Sequence, residues 1–279
     1  MLLEIAVGDA YGAGFEFCSR EIINNSNHAN GYISHPLGIK PGCYTDDTQM
    51  SLAIAELLLE NSNPQESDFA QAFIHTYKRD PRLGYASGFQ SLLDSCETGK
   101  DLTRKIRPHS KRNGAAMRSV PLGLIPDIDQ LLTVAKCQAS VTHNTEEGIL
   151  SAQAVALMAH LLIYQKSALI ELPKLIEKKL NLKLIGSWSG KVNCDALETL
   201  AAVNTALQSN RDFLGLLKTC IDFGGDTDSV AAIACGLAAL TREYDSELPF
   251  SLLSGLENST YGYQYLIELD KKLVNNFLS

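Results

Sequence analysis

The 279-residue chain is 45% hydrophobic and carries a net charge of −8, with 24 Lys and Arg against 32 Asp and Glu. That length and apolar content suffice for a sizeable buried core; the acidic balance argues against a nucleic-acid surface, which needs clustered Lys and Arg. Seven cysteines without a C-x-x-C pair argue against a zinc cage or disulfide framework and fit a reducing cytoplasm, where the chain is expected to reside.

The opening MLLEIAVGDAYG lacks a basic region and meets Glu4 and Asp9 before a long apolar stretch develops, so it does not read as a signal peptide. Residues 19–42, rich in Gly, Pro and polar side chains, read as a long functional loop. Next comes CYTDDTQMSLAIAELLLE, residues 43–60, where Thr45 and Thr48 bracket Asp46 and Asp47 ahead of a segment, 50–59, apolar nearly all round. In residues 66–79 the side chains of Phe69, Ala70, Phe73, Ile74 and Tyr77 recur at helical intervals, with Glu66, Ser67 or Asp68 to open the helix. Residues 80–118 read as a second long loop, containing the basic run RKIRPHSKR at 104–112. Amphipathic helices are predicted over 172–180, 195–207, 212–221 and 263–278. Segments 149–164 and 230–240 are apolar nearly all round and rich in Ala and Gly, so they belong at the centre of a bundle where backbones approach closely. No window approaches the roughly 20 apolar residues of a membrane span; Ser151, Gln153 and His160 interrupt the longest, 149–164, and no membrane contact is expected. With no series of alternating strands, no fixed-period repeat and no domain boundary, the expected architecture is all-α, one compact domain over residues 1–279, and a monomer.

The segment FGGDTDSVAAIACGLAAL, residues 223–240, repeats the grammar of the first acidic cluster: Asp226, Thr227, Asp228 and Ser229 follow glycines and precede a buried helix. Helix capping explains one acid at such a place, worth about 1 kcal/mol. Two acids repel by roughly 4 kcal/mol at 4 Å and an effective dielectric of 20. Carboxylates and hydroxyls without thiolate or imidazole suit a hard cation, Mg²⁺ or Mn²⁺. Four acids balance two such ions if the fold brings both clusters together, and paired metals suit hydrolysis or group transfer. Spacing alone leaves capping and a shared two-metal site both open.

VGDAYGAGFEF, YTDDTQMSLAIA, NGAAMRSVPLG, VTHNTEEGILSAQAVA and FGGDTDSVAAIACGLAAL occur in an order that resembles the ADP-ribosylglycohydrolase family, from Val7 to about Leu240. The resemblance implies an all-α enzyme with two Mg²⁺ or Mn²⁺ ions that cleaves the glycosidic bond joining ADP-ribose to an acceptor, its partner being an ADP-ribosylated protein or related conjugate. It implies metal ligands Thr45, Asp46, Asp47, Asp226, Asp228 and Ser229, the last standing where relatives commonly have Thr. It implies catalytic roles for Glu16, Asp47, Asp226 and Asp228, with Asp9 supporting the metal shell. Backbone N–H groups of Gly114, Ala115 and Ala116 would face the pyrophosphate, with a helix dipole behind them; Asn113 would orient that loop, Arg118 would reach phosphate or else make an internal ion pair or carbonyl contact, and His143 would lie near the nucleotide.

Departures mark the same alignment. Lys111 and Arg112 precede N-G where relatives carry small or aromatic residues, and Thr145 stands where a second histidine is common. The adenine-stacking residue is unassigned, and Trp188 is a candidate for the acceptor mouth. A non-catalytic ADP-ribose-binding module is the alternative; an isoprenoid-synthase-like enzyme is disfavoured because Met50 and Ser51, not a third acid at helical spacing, follow DDTQ.

Overall fold

The computed structural model describes residues 1–35, 37–184, 186–245 and 247–278. Among them are fourteen α-helices: α1 Leu2–Ala13, α2 Arg20–Ser26, α3 Asp46–Glu60, α4 Glu66–Arg79, α5 Ser87–Asp94, α6 Gly99–Lys105, α7 Ile128–Ser140, α8 Glu146–His160, α9 Leu172–Leu180, α10 Ala196–Ser209, α11 Phe213–Phe223, α12 Thr227–Ala238, α13 Phe250–Gly255 and α14 Tyr263–Phe277. β-pairing among the described residues is limited to isolated bridges between loop positions. The all-α expectation therefore holds.

The centre is a crossing of α1 and α12. Every residue of α12 is buried, and all of α1 except Leu3 and Glu4. Gly8 and Gly12 lie one turn apart on α1, and a Cβ on either would run into the backbone of Ala231 or Asp228. Without those side chains the two backbones touch, and α1 carries Asp9 past one acidic cluster and ends beside the other. α3, α8, α10 and α11 surround this pair, and one apolar core runs from Leu2 to Leu273.

Helix α8 continues through a wider turn, Leu161–Gln165, that Lys166 ends in the left-handed conformation (φ 48°). The combined span Glu146–Gln165 is long and apolar enough to cross a membrane by length and composition, yet 67% of its window is buried inside the molecule. Ser151 and His160, which interrupt the apolar run, are buried too: Ser151 Oγ donates to Gly148 O, and His160 Nδ1 bonds Ile125 O at 3.0 Å.

Both predicted long loops are partly helical. Residues 19–42 contain α2, and 80–118 contain α5 and α6. At seven or eight residues these helices span too few turns for apolar periodicity to stand out; in α2 and α6 caps carry the signal instead. Ser19 Oγ accepts from Ile22 N–H, and Thr98 and Asp101 form a reciprocal capping pair. α1 and α7 also go unmarked in the sequence, α1 because Glu4, Gly8, Asp9 and Gly12 break its apolar run.

Candidate active site

The first acidic cluster is set by a cap supplied from another helix. Thr45 is the N-cap of α3, but its side chain makes no capping bond. Asp9 of α1 performs that task, accepting from Thr45 N–H (2.9 Å), Thr45 Oγ1 (2.7 Å), Thr48 N–H (2.9 Å) and Thr48 Oγ1 (2.6 Å). These four donors favour the carboxylate form, while burial, the larger effect, pushes the Asp9 pKa up. Asp46 and Asp47 are thereby released from capping, and the second acid of the pair has another use. Asp47 is buried, and its Oδ1 has no hydrogen-bond partner among the described residues.

Gly84 closes the other side of Asp46. Its φ of 115° is a conformation other residues avoid, and a Cβ there would lie 2.6 Å from Asp46 Oδ1. Arg82 anchors this segment: it pairs with Glu257 and Asp80, donates to Tyr44 O at 3.0 Å and covers the Tyr44 ring at 3.5 Å.

The second cluster is stitched in by loop backbone. Val192 N–H donates to Gly224 O and Asp226 N–H to Val192 O, both at 3.0 Å. One strand of loop further out, Asn113 N–H donates to Cys194 O (2.9 Å) and Ala196 N–H to Lys111 O (3.1 Å). The loops at 109–113, 192–196 and 224–226 thus form one surface. Asp226, N-cap of α12, makes no capping bond either; its Oδ2 accepts from Asn113 Nδ2 at 2.9 Å. Thr227 Oγ1 donates to Gly12 O (2.8 Å), tying the cluster to α1. Beyond the end of α1, Phe17 N–H donates to Gly225 O at 2.8 Å and brings Glu16 inward. Glu16, Asp226 and Asp228 each offer an oxygen, all within 4.8 Å of one another.

The two clusters meet. Burial first, then the charges of Asp9, Glu16 and Asp226, raise Asp46 well above the usual carboxylate range. Burial, then Asp9, Asp46 and Asp226, do the same to Asp47, with the nearby Ser229 hydroxyl acting the other way. For Asp228 burial is again first, followed by Glu16, Asp226 and Asp47. An all-oxygen donor set, acids whose charges push one another's protons on, and an orphaned buried carboxylate oxygen are what a hard divalent cation requires. The residues present fit such ions.

Above this acidic floor opens a cleft of about 500 Å³, within the range that small-molecule sites occupy. The structure redistributes the predicted substrate residues around it. Gly114 lines the wall, and His143 lies against it so closely that a Cβ on Gly114 would come 2.8 Å from the imidazole. Burial first, then Arg118 and Arg112, push His143 down to about 3, so it is a neutral ring. Asn113 spends its amide on Asp226 and on Thr199 Oγ1 (3.0 Å), holding the acid in place. Ala115 and Ala116 are fully buried behind the wall, and Ala116 N–H closes a turn onto Asn113 O; the helical turn there, Asn113–Ala115, is a single short one. Arg118 takes the internal alternative. Buried at 1% exposure, it touches the cleft but gives Nε to Gln138 Oε1 (2.6 Å) and Nη2 to Gln138 O and Thr142 Oγ1, and lies 4.3 Å from the Phe73 ring centroid. Thr142 Oγ1 then meets His143 Nδ1 at 2.6 Å, so Arg118 braces His143.

Lys111 is paired with Glu147 at 2.8 Å, while Arg112 and the unpredicted Arg107 line the cleft. Trp188 lies outside the cleft, its Nε1 donating to Gly190 O. The apolar wall comes from Tyr85, Phe89, Leu92 and Ile106, and the outer lip from Phe17 and Leu37. Of these, Tyr85 and Phe89 stand one and five residues after Gly84 in a stretch that reads as loop, where nothing in a single sequence separates a wall aromatic from a core one.

Fold and site define an all-helical enzyme whose cleft is floored by converging acids. The chain belongs to the ADP-ribosylglycohydrolase family, whose sequence profile matches residues 1–278. It is 28% identical to an ADP-ribosyl-[dinitrogen reductase] glycohydrolase of Rhodospirillum rubrum over 91% of this chain and 88% of that one. It is 24% identical to an ADP-ribosylarginine hydrolase of Pseudomonas putida, covering 85% and 68% of the two chains. A solved structure titled ADP-ribosylglycohydrolase-related protein complex superposes with a TM-score of 0.77 at 25% identity, over 99% of this chain and 95% of that one.

Proposed function

We propose that this enzyme hydrolyses the glycosidic bond between ADP-ribose and a protein side chain, using two hard divalent cations, Mg²⁺ or Mn²⁺. The observation that carries the reading is the convergence of two acid pairs from opposite parts of the chain onto one cleft, with Asp47 Oδ1 buried and unpartnered. Thr45, Asp46 and Asp47 would hold the ions from α3, and Asp226, Asp228 and Ser229 from α12. When bound, the ions supply positive charge that orients sugar hydroxyls and acidifies water.

The chain's own groups do the rest. Asn113 fixes Asp226, and Asp9 fixes the hydroxyls of Thr45 and Thr48. Glu16 faces the acid floor from the cleft rim, placed to accept a proton from an attacking water. Arg107 and Arg112 offer positive charge for the diphosphate, and Tyr85 with Phe89 an apolar face for the adenine. The named activities of the Rhodospirillum and Pseudomonas relatives support a protein side-chain conjugate as substrate. A monomer acting in a reducing cytoplasm, away from membranes, completes the proposal.

Incubation with ADP-ribosylated arginine and serine peptides, with Mg²⁺, with Mn²⁺ and with chelator, tests it. Free ADP-ribose should accumulate only with metal. Tight ADP-ribose binding without release under any metal would show a binding module instead.

A further inference from the structure

Glu16 has no helix beneath it. α1 ends at Ala13, and the turn that follows leaves through Phe17 in the left-handed conformation (φ 51°), held by its N–H bond to Gly225 O. Glu16 also faces Asp226 and Asp228 at 4.8 Å or less, so like charge drives it out toward solvent. Something has to hold it in. Ile33 packs on Gly14 of the same turn, and two residues further His35, only 6% exposed, bonds Glu16 Oε2 through Nε2 at 2.8 Å.

The ring's other nitrogen decides what kind of bond this is. Leu37 N–H donates to His35 Nδ1 at 2.8 Å, so Nδ1 presents a lone pair and the ring's proton sits on Nε2, directed at Glu16. Gly38 N–H donates to His35 O (2.9 Å), closing the loop around the ring. We infer that His35 is a positioning residue: a single tautomer, locked by the Leu37 amide, pins one oxygen of Glu16 and holds its carboxylate over the acid floor against repulsion. The inference rests on the hydrolase reading for Glu16's task, and on geometry alone for the tautomer.

Two measurements on the full chain test it. In ¹⁵N–¹H imidazole spectra His35 should show a protonated Nε2 and a bare Nδ1, and Glu16→Gln should move the Nε2 signal. A protonated Nδ1, alone or with Nε2, overturns the inference. In turnover of the ADP-ribosylated peptides, His35→Ala should lower kcat roughly tenfold to a hundredfold with KM changed less than about twofold, because only a reacting group is misplaced. His35→Gln, whose side-chain amide can donate at a similar reach, should recover most of that loss. In a Glu16→Gln background His35→Ala should cost less than about a further twofold; a full additive loss there overturns the inference. If the wild-type protein releases no ADP-ribose, the hydrolase reading fails on its own, and the imidazole spectrum still decides the positioning.

Discussion

At the residue scale the acids of the cleft floor work against the fold in order to work for a ligand. Asp46 and Asp228 are each opposed by burial and by neighbouring charge, and the bond that Asp228 Oδ1 accepts from Ser229 N–H (3.0 Å) is one an asparagine oxygen can keep. Asp46→Asn or Asp228→Asn should therefore lower turnover by about a hundredfold or more, while the melting temperature of metal-free protein stays level or rises. Circular dichroism together with a turnover assay checks both halves; wholesale unfolding of both variants would contradict this account. Gly84 gives a complementary prediction. Gly84→Ala sets a methyl 2.6 Å from Asp46 Oδ1 on a backbone with φ 115°. It should cost about 1–3 kcal/mol in backbone strain and weaken Mn²⁺ binding, read by chemical denaturation and by titration calorimetry.

At the scale of elements, α1 does three things: Gly8 and Gly12 let it touch α12, Asp9 caps α3, and its end delivers Glu16. Removing Asp9 leaves four buried donors without an acceptor. At about 1–3 kcal/mol for each unsatisfied group, Asp9→Ala should lose at least about 3 kcal/mol and loosen the first turn of α3. Asp9→Asn is little better, because half of its amide donates where acceptors are wanted. Urea unfolding gives the stability, and hydrogen exchange at Thr48 N–H the local opening. Helices α3, α4 and α8 to α12, together with α14, are legible from apolar spacing. α2, α5 and α6 are not, because at seven or eight residues they span too few turns for a period to stand out; α1 is not, because Glu4, Gly8, Asp9 and Gly12 break its apolar run.

For the whole molecule, the raised carboxylates make stability depend on pH and on metal together. Asp46, Asp47 and Asp228 hold protons more tightly folded than unfolded, so the folded chain binds the excess protons from the ordinary carboxylate range up to their raised values. Stability of metal-free protein therefore falls as pH rises through that interval. His143, lowered to about 3 from 6.5, acts oppositely, adding stability that is lost as pH falls below about 6. Asp9 is raised by burial as well, and His160 is lowered like His143, so above the ordinary histidine range only the acids still titrate, and in chelator the melting temperature should decline as pH rises from there. Mg²⁺ or Mn²⁺ at a hundred times its dissociation constant should restore about 2.7 kcal/mol, flattening the slope. A melting temperature indifferent to metal at pH 8 would remove the ions from the site.

Residue chemistry alone carried the acids: paired carboxylates flanked by hydroxyls at the heads of two apolar helices exceed what capping needs, and that excess is visible in one dimension. It could not say that Asn113 serves Asp226, that Ala115 and Ala116 stand behind the wall, or that Arg118 braces His143, because a polar side chain finds its partner across the chain and not along it. Nor could it find Tyr85, Phe89 or His35, whose neighbours come from distant segments. Local pattern determines which residues form helices and which carry charge; only packing, through two glycines that let α1 lie on α12, decides that the acids face one another.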